Sequence, residues 1–173
     1  MGKKALVVVD LQVGFMSLYT CDLPRKINNF ISKYRKTFDY IISTQYINNE
    51  GTPCYVFENW TDCMSGSPES KLINFPHDVN FRKSVYSCYN EEFKAYMRKN
   101  DITDLYFCGI STACCVLHSA FDSYNDLVST YVISDLCGSS RHFQSHENAL
   151  QVLRECITEQ RVITTEEYAN RLN

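Results

Sequence analysis

A carboxylate, an ammonium and a thiol stand at three informative places in this chain: Asp10, Lys83 and Cys115. Asp10 ends the apolar run 5–9, Lys83 ends a second extended stretch, and Cys115 opens an apolar stretch with helical periodicity. Such a set can do nucleophilic chemistry. A cysteine in the first turn of a helix feels the positive end of the macrodipole, which lowers its pKa toward a usable thiolate, and a nearby ammonium lowers it further. A carboxylate within reach can take the thiol proton and later hand it to a leaving amine. Backbone N–H groups at the same helix start can hold an oxyanion. Spacing alone leaves a plainer alternative open, with Asp10 capping a turn, Lys83 on the surface and Cys115 filling the core.

The elements that must position these residues alternate along the chain. Residues 5–9 read as a strand buried on both faces. Pro24 opens a helix to about Lys36, with Ile27, Phe30, Ile31 and Tyr34 on one face. Strands follow at 40–45, Val79–Lys83, 105–108, 131–133 and 161–163, and helices at Glu91–Lys99, 113–124 and Phe143–Ile157. The irregular stretch 48–76 carries Gly51, Pro53, Gly66 and Pro68 and is too long for a simple connection. It reads as a functional loop with short helical pieces. Alternation of strand and helix predicts one three-layer α/β/α domain over 1–173 with a mainly parallel, six-stranded, Rossmann-like sheet. In such sheets ligands bind beyond the carboxyl ends of the strands, where the strand order reverses. Asp10, Lys83 and Cys115 all fall just after, or at the end of, a strand.

Composition narrows the function classes. The 173 residues suit one domain with a sufficient core of its own. Seventeen Lys+Arg against twenty Asp+Glu give a net charge of −3, so no basic excess supports nucleic-acid or anionic-membrane binding. No apolar run is long enough for a membrane span or a signal peptide, and the chain reads as cytoplasmic. Nine cysteines, an odd count without any Cys-x-x-Cys, argue against a disulfide framework or structural zinc. Most read as small buried hydrophobes.

Three ordered motifs carry a family resemblance over nearly the whole chain. They are Val7-Val8-Val9-Asp10-Leu11-Gln12-Val13-Gly14-Phe15, then Lys83-Ser84-Val85-Tyr86-Ser87, then Gly109-Ile110-Ser111-Thr112-Ala113-Cys114-Cys115-Val116. Together they resemble the isochorismatase-like cysteine hydrolase family, which includes nicotinamidases, N-carbamoylsarcosine amidases and ureido-amidohydrolases. The resemblance implies Cys115 as nucleophile, Asp10 as general base and Lys83 as electrostatic partner. It selects Cys115 over Cys114, because the family places its cysteine six residues after the glycine and before a valine. It also implies a cis Ile110–Ser111 peptide that aims the Ser111 and Cys115 N–H groups at an oxyanion.

One departure bears on metal. The nicotinamidase branch has an Asp-x-His metal motif after its second strand, and here that place reads Thr44-Gln45-Tyr46-Ile47-Asn48. The chain therefore resembles the metal-free branch, in which an Asn and aromatic residues line the entrance, and neither metal nor other cofactor is expected. Gln12, Phe15, Tyr46, Asn48 and Trp60 are assigned to substrate binding on that basis. Phe15 as core, Trp60 as a staple for its loop, and Tyr46 and Asn48 as ordinary loop residues are the plainer readings. His142 and His146, four apart, lack a third ligand and read as capping or surface residues, and His118 as a packed helix residue. The expectation is a hydrolase of a small-molecule amide or ureido C–N bond acting through an acyl-cysteine. Vinyl-ether cleavage of isochorismate and a non-catalytic ligand-binding or redox-sensing role are the alternatives. Family habit and the aromatics Tyr55, Phe57 and Trp60 of the long loop point to a homo-oligomer, a dimer or tetramer.

Overall fold

The run Ala5, Leu6, Val7, Val8 and Val9 becomes the centre of the sheet because both of its faces are apolar. All five side chains are fully buried. Burying each large aliphatic chain is worth about 1.5–3 kcal/mol, so this one strand anchors the core. In the computed structural model, which describes residues 2–172, it forms β1 (Lys3–Val9). The other strands are β2 (Tyr40–Tyr46), β3 (Val79–Lys83), β4 (Ile102–Ile110), β5 (Ser129–Gly138) and β6 (Val162–Ile163). They lie in the order β3-β2-β1-β4-β5-β6, and every pairing is parallel. The expected α/β sheet is thus present, and it is parallel throughout.

The helices are α1 (Leu23–Tyr34), α2 (Pro53–Glu58), α3 (Glu91–Lys99), α4 (Leu117–Asn125), α5 (Phe143–Ile157) and α6 (Thr165–Asn170). Pro24 starts α1, whose buried face is Leu23, Ile27, Phe30 and Ile31. Asn90 caps α3 by accepting the Phe93 N–H at 3.0 Å. The step from β1 to β2 and the step from β4 to β5 run in opposite directions. Right-handed crossovers then place α1 on one face of the sheet and α3, α4 and α5 on the other. Tyr168 of α6 packs on Phe30 and Tyr34, which puts α6 beside α1. This makes the three layers.

Three local differences from the sequence reading have physical causes. The helix expected over 113–124 begins as a wide π-type turn, Thr112–Val116, before α4 starts at Leu117. The Ser111 carbonyl accepts both the Cys114 and the Val116 N–H at 3.1 Å, which widens that turn. Strand β5 outruns its apolar segment, because its pairing with β4 jumps from Phe107↔Val132 to Gly109↔Cys137. The tail after β6 forms α6 through a capping box between Thr164 and Glu167.

Gly109 sets the distance between β1 and β4. It has φ +115°, and a Cβ built on it would sit 2.2 Å from the Val9 carbonyl oxygen. Gly109→Ala must therefore both strain its backbone and push apart two central strands. We expect a loss of about 3 kcal/mol or more in urea unfolding. A loss below about 1 kcal/mol would contradict this close approach.

Candidate active site

The strand order reverses between β1 and β4, so the loops after these strands diverge and leave a crevice at their carboxyl ends. Asp10 is the first residue after β1 and adopts φ 46°, which turns the chain sharply. Its carboxylate is fully buried. Oδ1 accepts the Thr44 hydroxyl at 2.7 Å, and Oδ2 meets Lys83 Nζ at 2.7 Å. Lys83, the last residue of β3, reaches across β2 to make this pair. Its ammonium also donates to the Val85 carbonyl at 3.1 Å and lies 5.2 Å from the centre of the Tyr46 ring. Burial by itself depresses the Lys83 pKa. The adjacent Asp10 carboxylate outweighs it and holds the ammonium above its ordinary range.

Cys115 lies in the π-type turn after β4 and is 5% exposed. Its thiol interacts with both the Asp10 and the Lys83 side chains. Burial, then the Asp10 charge, push the thiol well above its ordinary value, and Lys83 only partly opposes them. This corrects the expectation that a helix start lowers its pKa. Cys115 precedes α4, and desolvation exceeds a dipole contribution of about 0.3–1 kcal/mol. The resting group is therefore a thiol beside a carboxylate–ammonium pair. Cys114 faces the Arg141 and Cys54 side instead, and burial raises its pKa too.

A cavity of about 410 Å³ opens onto this turn. Cys115, Cys114 and Ser111 form part of its wall, and Phe15, Tyr46 and Trp60 form an aromatic wall opposite charged residues at the mouth. Phe15 stacks on Trp60 with ring centres 5.9 Å apart. The peptide between Ile110 and Ser111 is cis. Two of the assigned binding residues are not in the wall. Gln12 is fully buried and donates to the Tyr46 and Ser70 carbonyls at 2.9 and 2.8 Å, while its Oε1 accepts the Tyr46 N–H at 2.7 Å. Asn48, also fully buried, donates to the Trp60 and Asp62 carbonyls at 2.7 and 3.0 Å and accepts the Thr52 hydroxyl. Both amides are used up in fixing the 48–76 segment, so neither offers a group to a substrate.

The sequence reading missed the charged rim. Glu58 accepts from Arg141 at 2.9 Å and from the Tyr86 hydroxyl at 3.2 Å, and all three line the cavity with Cys54. Tyr86 closely follows β3 at this sheet edge, so the rule that found Asp10 also pointed to it, whereas Arg141 follows an end of β5 that the apolar segment 131–133 did not reveal. His118 is exposed, with Nδ1 2.8 Å from the Cys114 carbonyl oxygen. His142 immediately precedes α5 and caps nothing through its side chain. His146 is not a surface residue, since its ring is half-buried with Nδ1 2.8 Å from the Thr112 hydroxyl.

The end of β2 and the residues that follow it do not fit a metal ion. Such a site needs imidazole and carboxylate donors. Here Thr44 is bonded to Asp10, Gln45 donates to the Ser70 carbonyl at 2.8 Å, and Asn48 is spent as above. Among the described residues, no three His, Cys, Asp or Glu side chains converge as a metal site.

The opposing charges on Cys115 generate a prediction. Asp10→Asn removes a charge that raises the thiol pKa and leaves Lys83 to lower it. At pH 8, iodoacetamide should alkylate Cys115 faster in Asp10→Asn than in the wild type, by about tenfold for each unit of pKa lost. Peptide-resolved mass spectrometry in a Cys21→Ser/Cys156→Ser background removes the two exposed thiols from the measurement. An unchanged or slower rate would show that the Asp10 charge does not hold this thiol protonated.

Comparison with known proteins agrees with this fold. A family model described as the Isochorismatase domain matches residues 4–167. The chain is 24% identical over 145 residues to "Isochorismatase family protein 1A" of Dictyostelium discoideum, covering 78% of this chain and 68% of the relative. Among solved structures, a cysteine hydrolase from Pseudomonas syringae pv. phaseolicola superposes with TM-score 0.82 at 19% identity, over 98% of this chain and 92% of that one. A pyrazinamidase of Pyrococcus horikoshii in complex with zinc gives TM-score 0.77 at 22% identity, over 94% and 98%. On the extent of the domain match, the chain belongs to the isochorismatase family of hydrolases.

Proposed function

We propose that this protein hydrolyses a small-molecule C–N bond, in an amide or ureido group, through an acyl-cysteine formed on Cys115. One observation carries the reading: a buried Asp10–Lys83 ion pair at 2.7 Å interacts with a thiol at the wall of an aromatic-lined cavity. Asp10 takes the Cys115 proton as sulfur attacks the carbonyl carbon, and the carbonyl π electrons move to oxygen. The Ser111 and Cys115 N–H groups hold that oxyanion. When the C–N bond breaks, Asp10 gives its proton to the departing nitrogen. Water then loses a proton to Asp10 and attacks the thioester, and the sulfur leaves and is reprotonated. Lys83 stays protonated throughout, which keeps the site's charge balanced. Phe15, Tyr46 and Trp60 enclose the substrate and exclude bulk water.

No metal step is needed in this scheme, and the nine free thiols suit a reducing cytoplasm. Among the described residues no helix is long and apolar enough to cross a membrane. Exposed apolar side chains gather on segments beside the cavity mouth. Phe57 is 82% exposed next to Glu58, and Leu18 is 91% exposed next to Ser17. Trp60, by contrast, turns inward onto Phe15. A second copy of the chain covering Phe57 and Leu18 would bury this rim, which supports a homo-oligomer.

Two measurements follow. Small amides and carbamoyl compounds should be screened for ammonia release with wild type, with Cys115→Ala, and with wild type dialysed against EDTA. Cys115→Ala should lose turnover by about 10³-fold or more, and EDTA should leave it unchanged. Turnover that survives Cys115→Ala, or that EDTA abolishes and a divalent ion restores, defeats the proposed mechanism. Light scattering at micromolar concentration should give a multiple of the monomer mass, and Phe57→Glu should lower it. A monomer mass with full activity would show that the exposed rim serves its own subunit only.

A further inference from the structure

The turn that carries the nucleophile has a side-chain tie that takes no part in the chemistry above. Thr112 lies between Ser111 and Cys115, and it is fully buried. Its Oγ1 is 2.8 Å from Nδ1 of His146, which stands on α5 thirty-four residues later. The other ring nitrogen, Nε2, is 3.8 Å from the Glu147 carboxylate. Placing the ring hydrogen on Nε2, toward that carboxylate, leaves the Nδ1 lone pair to accept the Thr112 hydroxyl hydrogen. A half-buried imidazole is costly to keep in place of an apolar side chain. Its bond, moreover, falls on the first residue of the π-type turn rather than on the body of α4.

The turn is unusual in what it must do. Its backbone is wide, with the Ser111 carbonyl accepting two N–H groups and the Thr112 carbonyl accepting the Leu117 N–H. A π-type turn is rarer and less favourable than an α turn, so something outside it must select it. Ser119 ties the far end, by donating to the Cys115 carbonyl at 2.7 Å. His146 ties the near end, next to Ser111. Oxyanion stabilisation depends on donors held about 2.7–3.1 Å from where the charge develops, and losing one donor costs about 10²–10³-fold in rate.

We infer that His146 is a positioning residue for catalysis: through Thr112 it holds the 111–115 turn with its two N–H groups aimed at the oxyanion. The inference rests on the hydrolase reading above. It separates two properties of the site. The ionisation of Cys115 depends on Asp10 and Lys83, whereas the alignment of the amides depends on Thr112 and His146. Alkylation of the thiol by iodoacetamide needs the first only. Hydrolysis of an amide needs both.

The test uses His146→Ala, His146→Asn, Thr112→Val and Thr112→Ser in the full chain, each assayed for ammonia-releasing turnover and for peptide-resolved alkylation of Cys115. His146→Ala and Thr112→Val should each lower kcat by about 10- to 100-fold with KM little changed. The double variant should be no worse than either single one, since both remove the same bond. His146→Asn and Thr112→Ser restore an acceptor and a hydroxyl and should recover most of kcat. The alkylation rate should stay within about twofold of wild type in all of them. Wild-type kcat in His146→Ala, additive losses in the double variant, or parallel loss of alkylation and turnover overturns the inference. If His146→Ala does not fold, failure of both His146→Asn and Thr112→Ser to retain kcat overturns it as well. Turnover that persists in Cys115→Ala instead defeats the hydrolase reading, and is told apart by that variant alone.

Discussion

The buried contact between Asp10 and Lys83 is the constraint around which the rest of the site is arranged. Two charges with side chains 0–1% exposed lose most of their hydration, a cost of several kcal/mol each that attraction alone need not return. The fold supplies the remainder with fixed dipoles. Thr44 donates to one Asp10 oxygen, the Val85 carbonyl accepts from Lys83, and the Tyr46 ring faces the ammonium. Each of these comes from β2 or from the segment just after β3, so the pair can exist only where β1, β2 and β3 end side by side.

That pair also decides what the thiol is. A carboxylate alone would suppress ionisation of Cys115, and an ammonium alone would promote it. With both present and the thiol buried, suppression wins, and the resting proton stays on sulfur. The site thus holds a carboxylate near a protonated thiol, instead of a free thiolate open to oxidation. Cys21 and Cys156 are exposed and most of the others are packed in apolar clusters, which shows why cysteine number says little about chemistry here.

The 48–76 segment shows how the enclosure is made. It returns along the end of β1, with the Ile73 N–H donating to the Leu11 carbonyl at 2.8 Å. The amides of Gln12, Gln45 and Asn48 satisfy its inward-facing carbonyls. A segment without a regular ladder needs such side-chain donors, because a buried carbonyl without a partner is costly. Trp60 is thereby turned toward Phe15 and the cavity, and Phe57 is left in solvent. The Glu58–Arg141 pair closes the rim between this segment and the loop after β5.

Local pattern by itself determined the α/β class, the buried central strand and the placement of Asp10, Lys83 and Cys115 at one sheet edge. Hydrophobic periodicity and the strand-end rule act over a few residues and survive without coordinates. The choice of Cys115 over Cys114 came from the family motif, and in the structure the Asp10 charge acts on Cys115, whereas Arg141 and Glu58 are among the charges acting on Cys114. What the tertiary structure decided depends on partners distant in sequence. Gln12 and Asn48 are polar, near the site and plausible as ligands for a substrate, yet their amides meet carbonyls twelve to fifty-eight residues away. The charged rim joins residues 58 and 141, and the His146–Thr112 tie spans thirty-four positions. The thiol's ionisation was misjudged for the same reason, since desolvation is set by everything packed around a group. Motif spacing records which residues recur together along the chain, whereas hydrogen bonding and burial are settled only when the chain has closed on itself.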